Sequence, residues 1–257
     1  MALQGFTGVQ ALSIQSLYEL VGENWLGESL LDARMQLLEH EINTTGFSRV
    51  TPFLIRFFPC YFHSELTISF SNRRLSTNLA RYREELLASP PMILAFLLNK
   101  DNEHWAPAAV LMFPRTVLQG DSYGYPPQDN LLEMIQWWLQ DTAPEDGPWT
   151  TADLVTPEQY AGSGSCGLAA VTALVSLARS IDSAVNGPRD TNVPLSSLWT
   201  HKNSSCVRAE WMTILIRHHI ITLDLHPVGP LTTHLGMISL TFISSASTRC
   251  EQFRRRG

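Results

Sequence analysis

The sequence predicts an α+β domain in which one long apolar helix packs on a sheet. Three observations carry this expectation. Strand-length apolar runs cluster between residues 92 and 122, and amphipathic helical spacings lie on either side of them. A stretch of small residues, Ala161-Gly162-Ser163-Gly164-Ser165-Cys166-Gly167, then leads straight into an apolar run over 168 to 178. With 257 residues, 44% of them hydrophobic and 16% charged, the chain can bury a sizeable core as one domain.

In chain order, residues 12 to 21 carry only a loose apolar spacing. Leu26, Leu30, Leu31, Met35, Leu38 and Ile42 then recur at three and four residues, which predicts a helix over 24 to 42 capped by Asn24. Between 52 and 70 the density of aromatic and β-branched residues around Pro59 predicts short extended pieces or a buried loop, with His63 as a structural histidine. Ser76 is placed to cap a second helix bearing Leu79, Tyr82, Leu86 and Leu87, which Pro90-Pro91 ends. The continuous apolar run 92 to 98 reads as a strand, 99 to 103 as a turn, and 108 to 113 and 116 to 122 as two strands joined at Pro114-Arg115. A short amphipathic helix spans 131 to 140, a linker 144 to 148 and an extended piece 151 to 155. The helix opened by Cys166 stops before Asn186-Gly187-Pro188. Residues 208 to 220 carry Trp211, Ile214, Leu215 and His218 at helical spacing, 221 to 243 allow strands, and Arg254-Arg255-Arg256 belong to a solvated tail.

Composition excludes several classes of function. A formal net charge of -6 disfavours nucleic acid and anionic membrane as partners, since both select basic faces. Four scattered cysteines, Cys60, Cys166, Cys206 and Cys250, have no CxxC spacing. They suit neither a disulfide framework nor a zinc site, and a reducing compartment fits them best. No basic stretch followed by an apolar one opens the chain and no run nears 18 apolar residues, so neither secretion nor membrane spanning is expected. No metal or cofactor is implied.

The candidate chemistry centres on Cys166. At a helix amino end, unpaired N–H groups and the helix dipole favour negative charge, which predicts a thiol titrating below its usual value of about 8.5. A base must come from elsewhere in the chain. Two strands joined by a tight turn run antiparallel, so His104 near the start of the first and Asp121 near the end of the second become neighbours. A carboxylate in that place fixes the imidazole tautomer and supports its charged form.

The order His104, Asp121, Gln159, Cys166 resembles the ubiquitin-like-protein proteases, the SUMO-deconjugating (sentrin-specific) cysteine proteases. The likeness covers most of residues 20 to 180. It rests on Trp25-Leu26, His104-Trp105, Asp121-Ser122 and Ser165-Cys166-Gly167 occurring in that family's order. The resemblance implies a papain-like fold of the adenain and ubiquitin-like protease type, with the nucleophile on a central helix packed against a mixed, mainly antiparallel sheet. It implies an amino-terminal segment over 1 to 20, a protease core over 21 to 185, and 186 to 257 as the end of the same domain or an extension.

The implied activity is hydrolysis after the carboxyl-terminal Gly-Gly of a ubiquitin-like modifier, SUMO or a relative, in the nucleus and/or the cytoplasm. Carried over by residue, Cys166 is the nucleophile, His104 the base and Asp121 its orienting carboxylate. Gln159 donates to the oxyanion, and Trp25 and Trp105 wall a tunnel that admits only glycines. The chain departs from the family where Gln159 lies seven residues before Cys166 rather than six, where Ser165 replaces an aspartate, and where Gly27-Glu28 follows Trp-Leu. Two alternatives stay open: an effector-type acyltransferase with the same Cys-His-Asp order, and an inactive module that binds the modifier.

Overall fold

The apolar run at 92 to 98 is continuous because both faces of its strand are covered. In the computed structural model, which describes Ala2, Leu3, Gly5, Phe6 and residues 12–44, 55–140, 147–160, 162–186 and 198–225, this strand is β2, Ile93–Lys100. Ile93, Ala95 and Leu97 face one core, and Leu94, Phe96 and Leu98 face another. Among the described residues the sheet has five strands in chain order: β1 (Ile55–Phe57), β2, β3 (His104–Leu111), β4 (Thr116–Gln119) and β5 (Thr150–Asp153). Its central β2-β3-β4 meander is antiparallel, and β1 and β5 pair parallel at the two edges.

The first core lies between the sheet and three helices: α1 (Glu28–Thr44), α5 (Cys166–Asn186) and α6 (Ser204–Leu225). By length and composition α5 would pass as a membrane span, but 67% of that stretch is buried inside the domain, as befits a core helix. Val207, Trp211 and Leu215 of α6 join the same core. The second core lies under α2 (Phe62–Ser71), α3 (Thr77–Ala88) and α4 (Leu131–Leu139). Its centre is aromatic: Phe62 sits 5.0 Å from both Phe96 and Trp138, and the Trp138 indole donates to the Leu79 carbonyl at 2.9 Å. Ser76 caps α3 as expected, accepting from the Leu79 N–H at 3.1 Å.

Three expectations need correction. Residues 62 to 71 form a helix rather than extended pieces, because Phe62 and Leu66, four apart, both reach the second core and tertiary packing overrides their β propensity. The first helix starts at Glu28, with the Glu19 carboxylate accepting from the Gly27 N–H at 2.7 Å. Asn24 instead donates to the carbonyls of Tyr18 and Val21, so residues 24 to 27 stay outside the helix. Finally, residues 221 to 225 continue α6 and are not strand. The expectations for 52–54, 144–146, 190–197, 226–243, Cys250 and the arginine tail lie outside the described residues.

The helical face of α2 is testable. Phe62→Ala should cost about 3–5 kcal/mol in a denaturant titration, whereas Ile68→Ala on the exposed face should cost under about 0.5 kcal/mol. Equal losses would contradict the assignment.

Candidate active site

The β2-β3 turn places the first two groups of the site. Asp101 and Asn102 both take positive φ, 57° and 59°, a conformation that Asp and Asn tolerate better than most residues. The turn closes with the Glu103 N–H on the Lys100 carbonyl at 3.0 Å, and Lys100 and His104 face each other across the ladder. Asp121 follows β4, and its Oδ1 lies 3.1 Å from His104 Nε2. The structure therefore brings these two predicted residues together. With an acceptor carboxylate at Nε2, the ring proton sits there and Nδ1 carries the lone pair. Among the described residues, buried Nδ1 has no hydrogen-bond partner.

Asp121 has other partners that the sequence did not announce. The Tyr123 N–H donates to Oδ1 at 2.9 Å and the Lys100 ammonium to Oδ2 at 2.8 Å. Burial works against this carboxylate, but Lys100, the Tyr123 N–H and His104 together outweigh it and hold Asp121 below its ordinary range. Burial pushes the His104 imidazole below its ordinary value and Lys100 adds to the effect, while Asp121 offsets only part of it. The resting imidazole is thus neutral at neutral pH.

Cys166 stands at the first position of α5, on the buried side of the small-residue loop, as predicted. Its sulfur accepts from the backbone N–H of Trp105, next to His104 in β3, from its own N–H and that of Gly167, and from the Trp25 indole. The expected low thiol titration is not what this structure has. Burial pushes the Cys166 thiol up from its ordinary value, and those four donors recover only part of the shift. Both the Cys166 thiol and the His104 imidazole therefore rest neutral.

The loop before Cys166 is held on both sides. Gly164 lies so close to the backbone of residues 23 to 25 that an added Cβ would meet Trp25 N at 2.6 Å, and its own N–H donates to the Glu23 carbonyl at 3.2 Å. No side chain fits there. The Ser163 carbonyl accepts from Gln159 Nε2 at 3.0 Å and from the Tyr123 hydroxyl at 3.3 Å. Gln159 is itself locked, with Ser122 Oγ donating to its Oε1 at 2.9 Å and its backbone N–H donating to the Ser122 carbonyl. One of the two amide N–H donors predicted for the oxyanion is therefore engaged with the loop.

On the other side, Ser165 Oγ donates to the Glu23 carboxylate at 2.8 Å, and Arg208 of α6 reaches the carbonyls of Gly164 (3.1 Å) and Glu19 (2.9 Å) and Ser165 Oγ (3.2 Å). Arg208 is 1% exposed and lies within electrostatic range of Cys166. Where the resembled family has an aspartate at position 165, this chain has a serine with Glu23 and Arg208 beside it. One sequence signal pointed to Arg208: it lies three and seven residues before Trp211 and Leu215, which puts a charge on the buried stripe of its helix.

The two tryptophans also meet, but not as tunnel walls. Trp25 and Trp105 stack with centroids 5.4 Å apart and 17° between planes. A peptide between two rings needs about 7 Å, two carbon contact distances, so in this state the passage is shut. Trp105 is fully buried and fixed by its indole N–H on the Leu26 carbonyl at 2.8 Å, whereas Trp25 is 36% exposed.

No family model matches this chain, and no curated protein matches it in sequence. Among solved structures, a de-sumoylating protease superposes with a TM-score of 0.60 over 92% of this chain and 93% of that one, at 10% identity. The Ulp1-like SUMO protease catalytic domain of Chaetomium thermophilum gives 0.57 over 80% and 79%, at 16% identity. The carboxyl-terminal Ulp1 protease domain, solved in complex with Smt3, the yeast ortholog of SUMO, gives 0.52 over 88% of each chain at 15% identity. The chain thus has the fold of the Ulp1-type SUMO proteases, an α+β papain-like architecture.

Two measurements follow from this geometry. Iodoacetamide should alkylate Cys166 with a pH midpoint above the usual thiol value of about 8.5, because burial raises the pKa and the thiolate forms only at higher pH. A midpoint well below that value would contradict the neutral resting pair. Arg208→Leu should lower stability by about 2–3 kcal/mol in a denaturant titration, because it leaves buried acceptors without a charged donor. A loss within error would show that the guanidinium does not hold the loop.

Proposed function

We propose that this chain is a thiol isopeptidase that cleaves after the carboxyl-terminal Gly-Gly of a ubiquitin-like modifier, with SUMO as the first candidate. The observations that carry this are the His104–Asp121 hydrogen bond and the seat of the Cys166 sulfur on the backbone N–H of Trp105, the residue after His104, in a Ulp1-type fold. In the proposed reaction His104 Nδ1 takes the proton of the Cys166 thiol as the sulfur attacks the glycine carbonyl carbon. Asp121 stabilises the imidazolium as it forms. The Cys166 backbone N–H and the remaining amide N–H of Gln159 donate to the oxyanion, each contributing on the order of 3 kcal/mol. The imidazolium then protonates the leaving lysine amine, which departs and leaves a thioester. Water, deprotonated by His104, attacks the thioester carbonyl, and the cysteine is released.

Glycine selectivity fits the aromatic pair. Trp105 is the fixed wall and Trp25 the wall that moves, so the modifier tail enters by displacing the Trp25 ring from its stack. Any Cβ on the last two residues of the tail would then meet an aromatic face.

The test is a panel of SUMO, Nedd8 and ubiquitin, each carrying a carboxyl-terminal thiol-reactive warhead, against the intact chain and Cys166→Ala. A covalent adduct in the intact protein alone, strongest with SUMO, is the expected result. Binding without an adduct would favour a non-catalytic module, and acetyl transfer from acetyl-CoA would favour an acyltransferase. Trp25→Ala should reduce kcat/KM on a modifier substrate by about 10- to 100-fold, since the tail loses one positioning wall. An unchanged kcat/KM would remove Trp25 from the binding path.

A further inference from the structure

Asp121 is shared. Its Oδ1 receives His104 Nε2 and the Tyr123 N–H, and its Oδ2 receives the Lys100 ammonium at 2.8 Å. Lys100 is held in turn by the Pro126 carbonyl at 3.4 Å and lies 5.7 Å from the centre of the Tyr125 ring. The lysine comes from the last position of β2, directly across the ladder from His104 at the first position of β3. The 101–103 turn therefore brings a cation to the same carboxylate as the imidazole. Neither partner is on the open surface: the Asp121 side chain is 4% exposed and that of Lys100 26%.

We propose that Lys100 is a positioning residue for the base: it clamps the outer oxygen of Asp121 so that Oδ1 meets His104, and its charge keeps the imidazole neutral and ready to accept a proton at more acidic pH. The inference rests on the reading of His104 as the base. Two effects act in the same direction. A fixed cation beside a protonating ring repels the second positive charge, and by occupying Oδ2 it withdraws part of the carboxylate's attraction from the ring. The lowered imidazole and carboxylate values described above agree with this arrangement.

The groups facing His104 are Lys100 from β2 and Asp121, Tyr123 and Tyr125 from the segment after β4, while Cys166 of α5 lies at the backbone N–H of the next residue, Trp105. Tyr123 and Tyr125 have ring centroids 4.8 and 5.8 Å from the imidazole and cover it. Lys100 is the only cation in this set. A salt bridge that merely tied the end of β2 to the 121–126 loop would show the same distances, so the experiment must read the imidazole itself.

The His104 ring is titrated by NMR in the intact chain, in Lys100→Met, which keeps the stem and loses the charge, and in Lys100→Arg, which keeps the charge. His104→Gln assigns the signal among the eight histidines. The expected result is a His104 midpoint shifted to higher pH in Lys100→Met and unmoved in Lys100→Arg, with the acid limb of kcat/KM on a fluorogenic SUMO amide moving the same way. Lys100→Gln repeats the titration with hydrogen bonding to Asp121 retained, should the methionine variant fail to fold; it too should shift upward. A folded neutral variant whose His104 midpoint stays in place overturns the proposal, even if its activity falls. Absence of modifier cleavage by the intact chain would instead defeat the protease reading, and the NMR titration would still decide the role of Lys100.

Discussion

The site depends on one steric constraint: the backbone at residue 164 lies against the backbone of residues 23 to 25, in space that any Cβ would claim. Glycine at this position lets the strap before α1 and the loop before α5 touch along their main chains. The neighbouring residues then turn to opposite sides. Ser163 presents its carbonyl to Gln159 and Tyr123, from the segments that follow β5 and β4, and Ser165 presents its hydroxyl to Glu23 and to Arg208 of α6. The loop before Cys166 is thus braced by segments more than a hundred residues apart. Helix-borne cysteines need this bracing because a loop left to itself samples many conformations, each costing entropy to select.

Electrostatically, the site keeps Cys166 and His104 neutral and pairs Lys100 with Asp121 as ions. Creating a thiolate and an imidazolium in a buried corner would cost solvation of both ions, and that cost exceeds their attraction unless the remaining bonds are ideal. The resting state avoids it, with burial raising the thiol and lowering the imidazole. What is charged in advance is the Lys100-Asp121 pair, one oxygen of which already points at His104 Nε2. Were the ring to gain a proton, the carboxylate would need no reorientation to stabilise it.

Much of this was legible in the sequence, and what escaped follows a pattern. The strand run 92 to 98, the turn at 99 to 103, the Ser76 cap and the Cys166 helix all rest on local rules, and each is present. His104 and Asp121 were found because a hairpin makes distance in sequence a statement about distance in space. The α2 helix was missed because its aromatic residues have strand propensity, and only the second core, assembled from α3, α4 and β2, shows why they coil. Lys100 and Arg208 were missed because their partners come from other elements. A lysine beside a turn reads as surface until the fold sets it against a carboxylate, and Arg208, though on the apolar stripe of its helix, has no visible partner until the fold sets it against two carbonyls. The upward direction of the Cys166 thiol was missed for a related reason: the helix end is visible in sequence, whereas the burial that outweighs it is not.

Trp25 links access to reactivity. The ring that shuts the passage by stacking on Trp105 also donates its indole N–H to the Cys166 sulfur, so it is part of the cover over that thiol. Burial is the largest influence on the thiol, larger than any of the bonds that favour the thiolate. Moving the ring aside removes a donor that favours the thiolate and uncovers the sulfur, two effects of opposite sign on its ionisation. Trp105 cannot serve in this way, since its indole is tied to the Leu26 carbonyl in the core. The asymmetry of the two tryptophans, one anchored and one partly exposed, makes Trp25 the ring that can uncover Cys166.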